Sequence, residues 1–144
     1  MTVLRALLAF SILSLVAGAP SAARAAECAA PPDAWLLGEW GMSHTKVVFR
    51  RAGKDIVWDY LREPGAVSPR WGEKQPATAT GTVTRVQGCE IEMKGRYTSY
   101  GGTQKAVGTS MQYVVTFDGA GMLQGKGLGF GKEWFETRWI KARQ

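Results

Sequence analysis

The sequence predicts an all-β protein, an antiparallel up-and-down β-barrel of about eight strands preceded by a cleaved signal peptide. Short runs of alternating apolar and polar residues recur along the chain, and turns rich in its 18 glycines separate them. No window of a dozen residues has the apolar spacing and caps of a helix. Alternating runs of this kind are typical of half-buried strands, and about eight sequential strands close well into a barrel without exposed edges. A two-sheet sandwich is the main alternative.

The composition limits the classes of site that the chain can build. Its 144 residues indicate one folded domain, and 45% apolar with 21% charged residues indicate a globular one. One histidine and two cysteines exclude a zinc cluster or an iron–sulfur site, so we expect no metal and no cofactor. The net charge of +6 is scattered along the chain, which argues against a nucleic-acid partner.

Residues 1–25 have the pattern of a signal peptide. Arg5 precedes the uncharged apolar run Leu7–Gly18, and Ala23-Arg24-Ala25 forms a cleavage site. The apolar run is shorter than the roughly 20 residues that a membrane span needs, so we expect no span after cleavage. The mature protein is then periplasmic or secreted, and the signal is bacterial in style. The remaining chain divides into an N-terminal segment, residues 26–35, and a barrel domain, residues 36–144.

The two cysteines of the mature chain, Cys28 and Cys89, are expected to form a disulfide bond. Isolated pairs of cysteines in an oxidising compartment usually do so, and no C-x-x-C spacing indicates a redox role. The bond would tie the N-terminal segment to the barrel. In the chain-entropy model, closing a loop of about 60 residues stabilises the fold by on the order of 4 kcal/mol.

The strands are predicted from their alternation and from the turns between them. In order, they are Leu36–Met42, His44–Arg51, Asp55–Arg62, Ala77–Val86, Cys89–Ser99, Thr109–Asp118, Met122–Phe130 and Glu133–Lys141. Ala52-Gly53-Lys54 and Gln87-Gly88 are expected to form hairpin turns. The longest irregular stretches are Glu63–Pro76, a basic loop that contains Trp71, and the glycine-rich Tyr100–Gly108. Arg62, Arg70 and Lys74 make the first loop basic, which fits either a rim or partner contact or a disordered polar loop.

Two motifs at the ends of the barrel domain carry a family resemblance. Gly38-Glu39-Trp40 opens the first predicted strand, and Arg138-Trp139 lies in the last one. This layout resembles the calycin superfamily, the lipocalins and avidins. The resemblance implies that Trp40 and Arg138 form a structural plug at the closed end, with Arg138 packed across the Trp40 ring. The polar positions that follow the avidin motif are not reproduced in residues 41–44, so biotin binding is not implied. The small exported barrels that inhibit bacterial metalloproteases are similar in size and in having one disulfide.

Aromatic and methionine side chains at alternating strand positions are the candidate ligand-binding residues. They are Trp58, Tyr60, Met93, Tyr97, Met111, Tyr113, Phe117 and Trp134. If these faces point inward, they line a cavity that suits a hydrophobic or ring-shaped ligand, with tyrosine hydroxyls as polar contacts. The same residues can instead fill the barrel completely. The alternation does not distinguish a hollow interior from a filled one.

Three further features have structural interpretations. His44, the only histidine, is expected at the surface near a turn. Glu90 and Glu92 share a strand face that Lys94 continues, which fits a solvated stripe better than paired catalytic carboxylates. The alternating glycines of Gly125–Gly131 lack the helix that would follow a phosphate-binding loop. They indicate a bare strand face that a large side chain such as Trp134 or Trp139 approaches closely, or a bent strand.

These observations predict an exported binding protein without enzymatic activity. Its partner is expected to be a small hydrophobic or aromatic ligand inside the barrel. The alternative is a protein-interaction module, such as a periplasmic protease inhibitor, that acts through its N-terminal segment or its loops and has a filled core. The sequence does not indicate an oligomeric state.

Overall fold

A computed structural model describes residues 28–68 and 72–143. The predicted signal peptide and Trp71 lie outside the described residues. The strands are β1 Gly38–Met42, β2 Thr45–Ala52, β3 Asp55–Arg62, β4 Val67–Ser68, β5 Gly72–Glu73, β6 Ala77–Gln87, β7 Glu90–Tyr100, β8 Ser110–Phe117, β9 Met122–Leu128 and β10 Trp134–Lys141. The helical turns are α1 Pro32–Trp35 and the 3₁₀ turn η1 Gln104–Ala106.

Eight of the strands form a closed antiparallel barrel. Each pairs with its neighbours in the order β1-β10-β9-β8-β7-β6-β3-β2, so β10 returns to β1 and closes the sheet. Strands β4 and β5 form a separate small hairpin inside the long loop between β3 and β6. The predicted all-β antiparallel barrel is confirmed, and the sandwich alternative is wrong. This architecture is compatible with a calycin-like barrel.

The up-and-down order places the connections at two ends. The closed end holds the tight turns after β2, β6 and β8, together with α1. The open end holds the turn after β1 and the longer loops after β3, β7 and β9. The strand boundaries lie close to the predicted ones, with three local differences. The turn after β6 is Gly88-Cys89 rather than Gln87-Gly88, a register shift interrupts β6 between Val83 and Arg85, and the loop after β3 contains the β4–β5 hairpin.

The N-terminal segment covers the closed end. The predicted disulfide between Cys28 and Cys89 is present, with Cα atoms 5.1 Å apart. Pro32 starts the short helix α1, where its fixed φ and missing N–H are tolerated. The buried Trp35 of this helix stacks on Phe117, with ring centroids 5.1 Å apart and planes inclined by 7°. A stacked pair of this size closes the barrel base with apolar surface.

Trp40 lies behind this cover, as the resemblance implies, but its cationic neighbour is a different residue. The Trp40 indole N–H donates to the carbonyl of Leu36 at 2.8 Å. The ammonium of Lys141 lies 5.3 Å from the Trp40 ring centroid and also donates to the carbonyl of Trp35 at 2.6 Å. Arg138 is exposed. The contact expected of Arg138 is therefore made by Lys141, because alternation along β10 turns residue 138 away from the core that Trp139 enters.

Most of the barrel interior is filled with side chains. The largest fully buried ones are Trp40, Trp58, Trp139, Tyr113, Phe49, Leu36, Ile91, Met93, Met111, Leu123, Val47 and Val115. Trp58 lies against two glycines of neighbouring strands. A Cβ atom on Gly95 would lie 2.5 Å from Cζ2 of Trp58, and one on Gly81 would lie 2.6 Å from the same atom. The glycines therefore provide the space for this indole in the barrel core.

Candidate functional site

A cavity of about 590 Å³, called the main cavity, lies at the open end of the barrel. Its floor is formed by Tyr60, Tyr113 and Trp139, which belong to the top of the packed core. Strand β10 forms one wall from Trp134 to Trp139, and the β1–β2 turn and the β4–β5 hairpin form the opposite rim. The cavity is thus bounded by the barrel core below and by loops above.

A gap in strand pairing explains why this cavity also opens sideways. The register between β1 and β10 contains Trp40 opposite Lys141 and Gly41 opposite Ile140. Because β1 is only five residues long, the first part of β10 extends past its end. That part pairs with β9 from Trp134 onward, while its other edge faces the main cavity. The short first strand therefore creates the side opening.

A minor cavity of about 440 Å³ lies next to the main cavity. Arg62, Lys74 and Phe135 line both of them. The Lys74 ammonium lies 5.1 Å from the Phe135 ring centroid, which gives a cation–π contact. The three shared side chains form a partition between the two cavities.

Tyrosine side chains bring most of the polar groups to this region. Burial raises the pKa of Tyr60, while the positive charge of Arg62 and its hydrogen bond act in the opposite direction. Burial likewise raises the pKa of Tyr97, against a hydrogen bond to the backbone of Phe130. Burial raises the pKa of Tyr113 well above its usual range. The phenols are therefore neutral hydrogen-bonding groups at physiological pH.

Arg62 is the charged side chain at the centre of the site. It is the last residue of β3, and only 6% of its surface is exposed. Its Nε donates to the carbonyl of Gln75 at 2.6 Å, and its Cζ lies 5.4 Å from the Tyr100 ring centroid. Its Nη2 is buried without a hydrogen-bond partner. A guanidinium remains protonated in proteins, so this is a buried positive charge.

The structure divides the predicted ligand-binding residues into two groups. Tyr60, Tyr113 and Trp134 line the main cavity, and Tyr97 lines the minor one. Trp134 lies at the rim, with 46% of its surface exposed. The other four lie in the packed core and line neither cavity: Trp58, Met93, Met111 and Phe117.

From the sequence, Arg62 is placed only in a basic loop that could form a rim or partner contact, and Phe135 is not identified. Arg62 continues the inward alternation of Ile56, Trp58 and Tyr60 in β3, so the pattern itself could have identified it. Phe135 occupies an odd-numbered position of β10, on the same face as Trp139. The alternation predicts its neighbour Trp134 as the inward residue, whereas Phe135 and Trp139 are the residues that enter the barrel.

The bare glycine face predicted in β9 is present and belongs to this site. A Cβ atom on Gly127 would lie 2.5 Å from Tyr113 Cε1 and 2.6 Å from Phe135 Cζ. On Gly129 it would lie 2.5 Å from the Tyr97 hydroxyl. The large neighbours are therefore tyrosines and Phe135, rather than Trp134 or Trp139. The glycines allow three aromatic rings to approach the backbone of β9.

The remaining polar candidates lie at the surface. His44 is exposed in the β1–β2 turn, on the rim of the main cavity. Glu90 and Glu92 both accept hydrogen bonds from Arg85 Nη2, at 2.6 and 2.8 Å. Two carboxylates shared by one arginine form an ion-paired surface cluster, and Lys94 is not their main partner.

Within residues 28–68 and 72–143, no cluster of histidine, cysteine and carboxylate side chains is suited to holding a metal ion. The same residues contain no helix of the length and apolar character needed to cross a bilayer. Comparison of the chain with family models, curated proteins and solved structures gave no match. The geometry of the site is therefore the main indication of what the protein binds.

Proposed function

We propose that this protein is an exported, non-enzymatic binding protein that holds a small hydrophobic or aromatic ligand at the open end of its barrel. The observation that supports this most is the main cavity, about 590 Å³ in volume, above a completely packed core. Ligand pockets are commonly concave, partly apolar and equipped with a few oriented polar groups. The aromatic floor and the Tyr60 hydroxyl supply both elements.

The position of the ligand differs from the one expected from strand alternation. Trp58, Met93 and Met111 are packed in the core and leave no room for a ligand at their depth. We therefore propose binding at the mouth, where Tyr60, Tyr113 and Phe135 line the main cavity. A flat ring can lie between the floor and the β4–β5 hairpin, with access through the side opening.

The alternative, a protein-interaction module that acts through its N-terminal segment, has less support. An inhibitory N-terminal arm has to leave the barrel to reach a protease. Here Cys28 is covalently bonded, Trp35 is buried, and Asp33 forms an ion pair with Arg51. These contacts fit a structural cover for the closed end. Export itself is consistent with the disulfide bond, which oxidising compartments favour.

The cavity proposal is tested by filling the cavity. Thr137 lies on β10 in the wall of the main cavity, so Thr137→Phe should exclude a ligand. Thr82→Phe is the matched control, because Thr82 is exposed on β6 and lines neither cavity. N-phenyl-1-naphthylamine, a neutral probe that fluoresces in apolar surroundings, is titrated into the full mature chain. We expect saturable one-to-one binding that Thr137→Phe abolishes and Thr82→Phe retains.

Two outcomes contradict the proposal. Absence of saturable binding to the unaltered chain means that the cavity does not accept an aromatic ligand of this class. Equal binding by both variants means that the probe binds elsewhere on the surface. Thermal melting of both variants shows whether each one folds before its binding is compared.

A further inference from the structure

We propose that the ligand of the main cavity is an organic carboxylate, with its apolar part on the aromatic floor and its carboxylate at the Arg62 guanidinium. This inference rests on the proposed ligand-binding function and adds the chemical class of the ligand. Its structural basis is the buried positive charge of Arg62. Arg62 is more than nine-tenths buried, and its Nη2 has no hydrogen-bond partner.

Arg62 has no counter-ion in the part of the chain that the structure describes. None of the ion pairs there includes it. Its partners are the Gln75 carbonyl, the neutral hydroxyls of Tyr60 and Tyr100, with which its side chain is hydrogen-bonded, and the Tyr100 ring. Burying a charge without an opposite one is unfavourable, so such groups are usually paired. An anion in the adjoining cavity would supply the missing charge.

The remaining charges around the main cavity favour the same sign of ligand. Its wall includes Arg62, Lys74 and Arg138, against a single acid, Glu136. Burial lowers the pKa of Lys74, and the positive charge of Arg62 acts in the same direction. The acids Glu73 and Glu133 line the minor cavity instead.

The shape and polarity of the site favour a carboxylate over an inorganic oxyanion. A guanidinium presents its N–H groups in a plane that matches a planar carboxylate. A monoanion balances one guanidinium, while the aromatic floor of Tyr60, Tyr113 and Trp139 needs an apolar group to cover it. Free phosphate would satisfy the charge and leave this floor uncovered.

The test compares two probes that differ in charge and share one ring system. Binding of 2-naphthoate and of its neutral amide, 2-naphthamide, is measured by calorimetry with the full mature chain, and inorganic phosphate is titrated separately. We expect the carboxylate to bind at least about tenfold more tightly than the amide, since hydrogen bonds to ionised groups are the stronger ones. Arg62→Met should remove this preference, so that carboxylate and amide bind with similar affinity. Arg96→Met, an equal change of charge at an exposed position outside both cavities, should keep it.

Each other outcome has a defined meaning. Equal affinities for carboxylate and amide overturn the carboxylate inference and leave the proposed cavity function intact. A preference that survives in Arg62→Met assigns the anion to another cation, and tight binding of phosphate alone indicates a free oxyanion site. Both results overturn the inference. Absence of binding by both naphthalene probes contradicts the proposed function as well. If Arg62→Met does not fold, Arg62→Lys keeps the charge without the planar fork, and the preference should then decrease.

Discussion

The closed and open halves of this barrel are built from the same strands but are filled in different ways. Toward the closed end, Trp40, Trp58 and Trp139 are each at most 1% exposed, and the disulfide and Trp35 cover the base. Toward the open end, inward positions carry tyrosines and Arg62, and two cavities adjoin them. A strand that alternates perfectly can thus change from core to site within four residues, as β3 does between Trp58 and Arg62.

The difference separates stability from binding along the barrel axis. Buried aromatic side chains contribute several kcal/mol each through burial and packing, roughly 3–5 kcal/mol by truncation. The open half forgoes part of that stabilisation by leaving space and by burying a charge. Such a local cost is expected where a site has to accept a ligand. Substitutions in the closed half should therefore change stability, and those in the open half should mainly change binding.

The largest effect is expected from removing the disulfide. The Cys28→Ser and Cys89→Ser double variant loses a cross-link with a sequence separation of 61 residues. Chain entropy then predicts a loss of about 4 kcal/mol in the free energy of unfolding. Thermal melting should show a decrease in Tm of roughly 15 °C or more. Affinity for the naphthalene probes, measured well below the new Tm, should be unchanged.

Loss of probe binding in the folded double variant would show that the two halves are coupled. A change in Tm of only a few degrees would indicate that α1 and Trp35 hold the base without the cross-link. The unaltered chain after reduction is the matched control, because it tests the same bond without any substitution.

A smaller effect is expected from adding one methyl group to the packed half. Gly95→Ala places a Cβ atom 2.3 Å from the Thr80 carbonyl oxygen and 2.5 and 2.7 Å from two ring atoms of the buried Trp58. Overpacking of this kind costs about 1–3 kcal/mol. Gly131→Ala, in the loop after β9, has nothing within 4 Å and serves as the control. Chemical denaturation should show destabilisation by Gly95→Ala and a change within about 0.5 kcal/mol for Gly131→Ala.

If the two alanine variants were equally stable, Trp58 would have room that the close contacts do not indicate. Destabilisation by Gly131→Ala alone would show that the loops of the open end, rather than the packed half, limit stability.

The contrast between the packed half and the open half also explains which features could be predicted from the sequence. Strand positions and the disulfide followed from alternation and from the cysteine count, because both are local or nearly unique signals. The filling of the barrel did not follow. Whether Trp58 lines a cavity depends on Gly81 in β6 and Gly95 in β7. No single segment of the sequence shows how these strands align with β3. For a related reason, the cationic contact to Trp40 comes from Lys141 and not from the predicted Arg138. The two residues are three positions apart in β10, and an odd separation along a strand puts side chains on opposite faces.

The smallest effect concerns the titration of Lys74 at the mouth. Burial and the neighbouring Arg62 charge lower the pKa of Lys74 below its usual value of 10.5. Between the lowered value and 10.5 the unfolded chain binds more protons at this residue than the folded chain does, so the residue's contribution to stability rises with pH. The difference in unfolding free energy between the unaltered chain and Lys74→Met should therefore increase as pH rises toward 10.5. The Lys126→Met variant, at an exposed position on β9, should show no such trend in denaturation measured over the same range. Tyrosine titration is common to all three proteins and cancels in these differences.

A carboxylate bound at Arg62 should reduce this pH trend, because its negative charge offsets the repulsion between Arg62 and Lys74. An unchanged trend at saturating 2-naphthoate would mean that the anion binds away from this pair of cations.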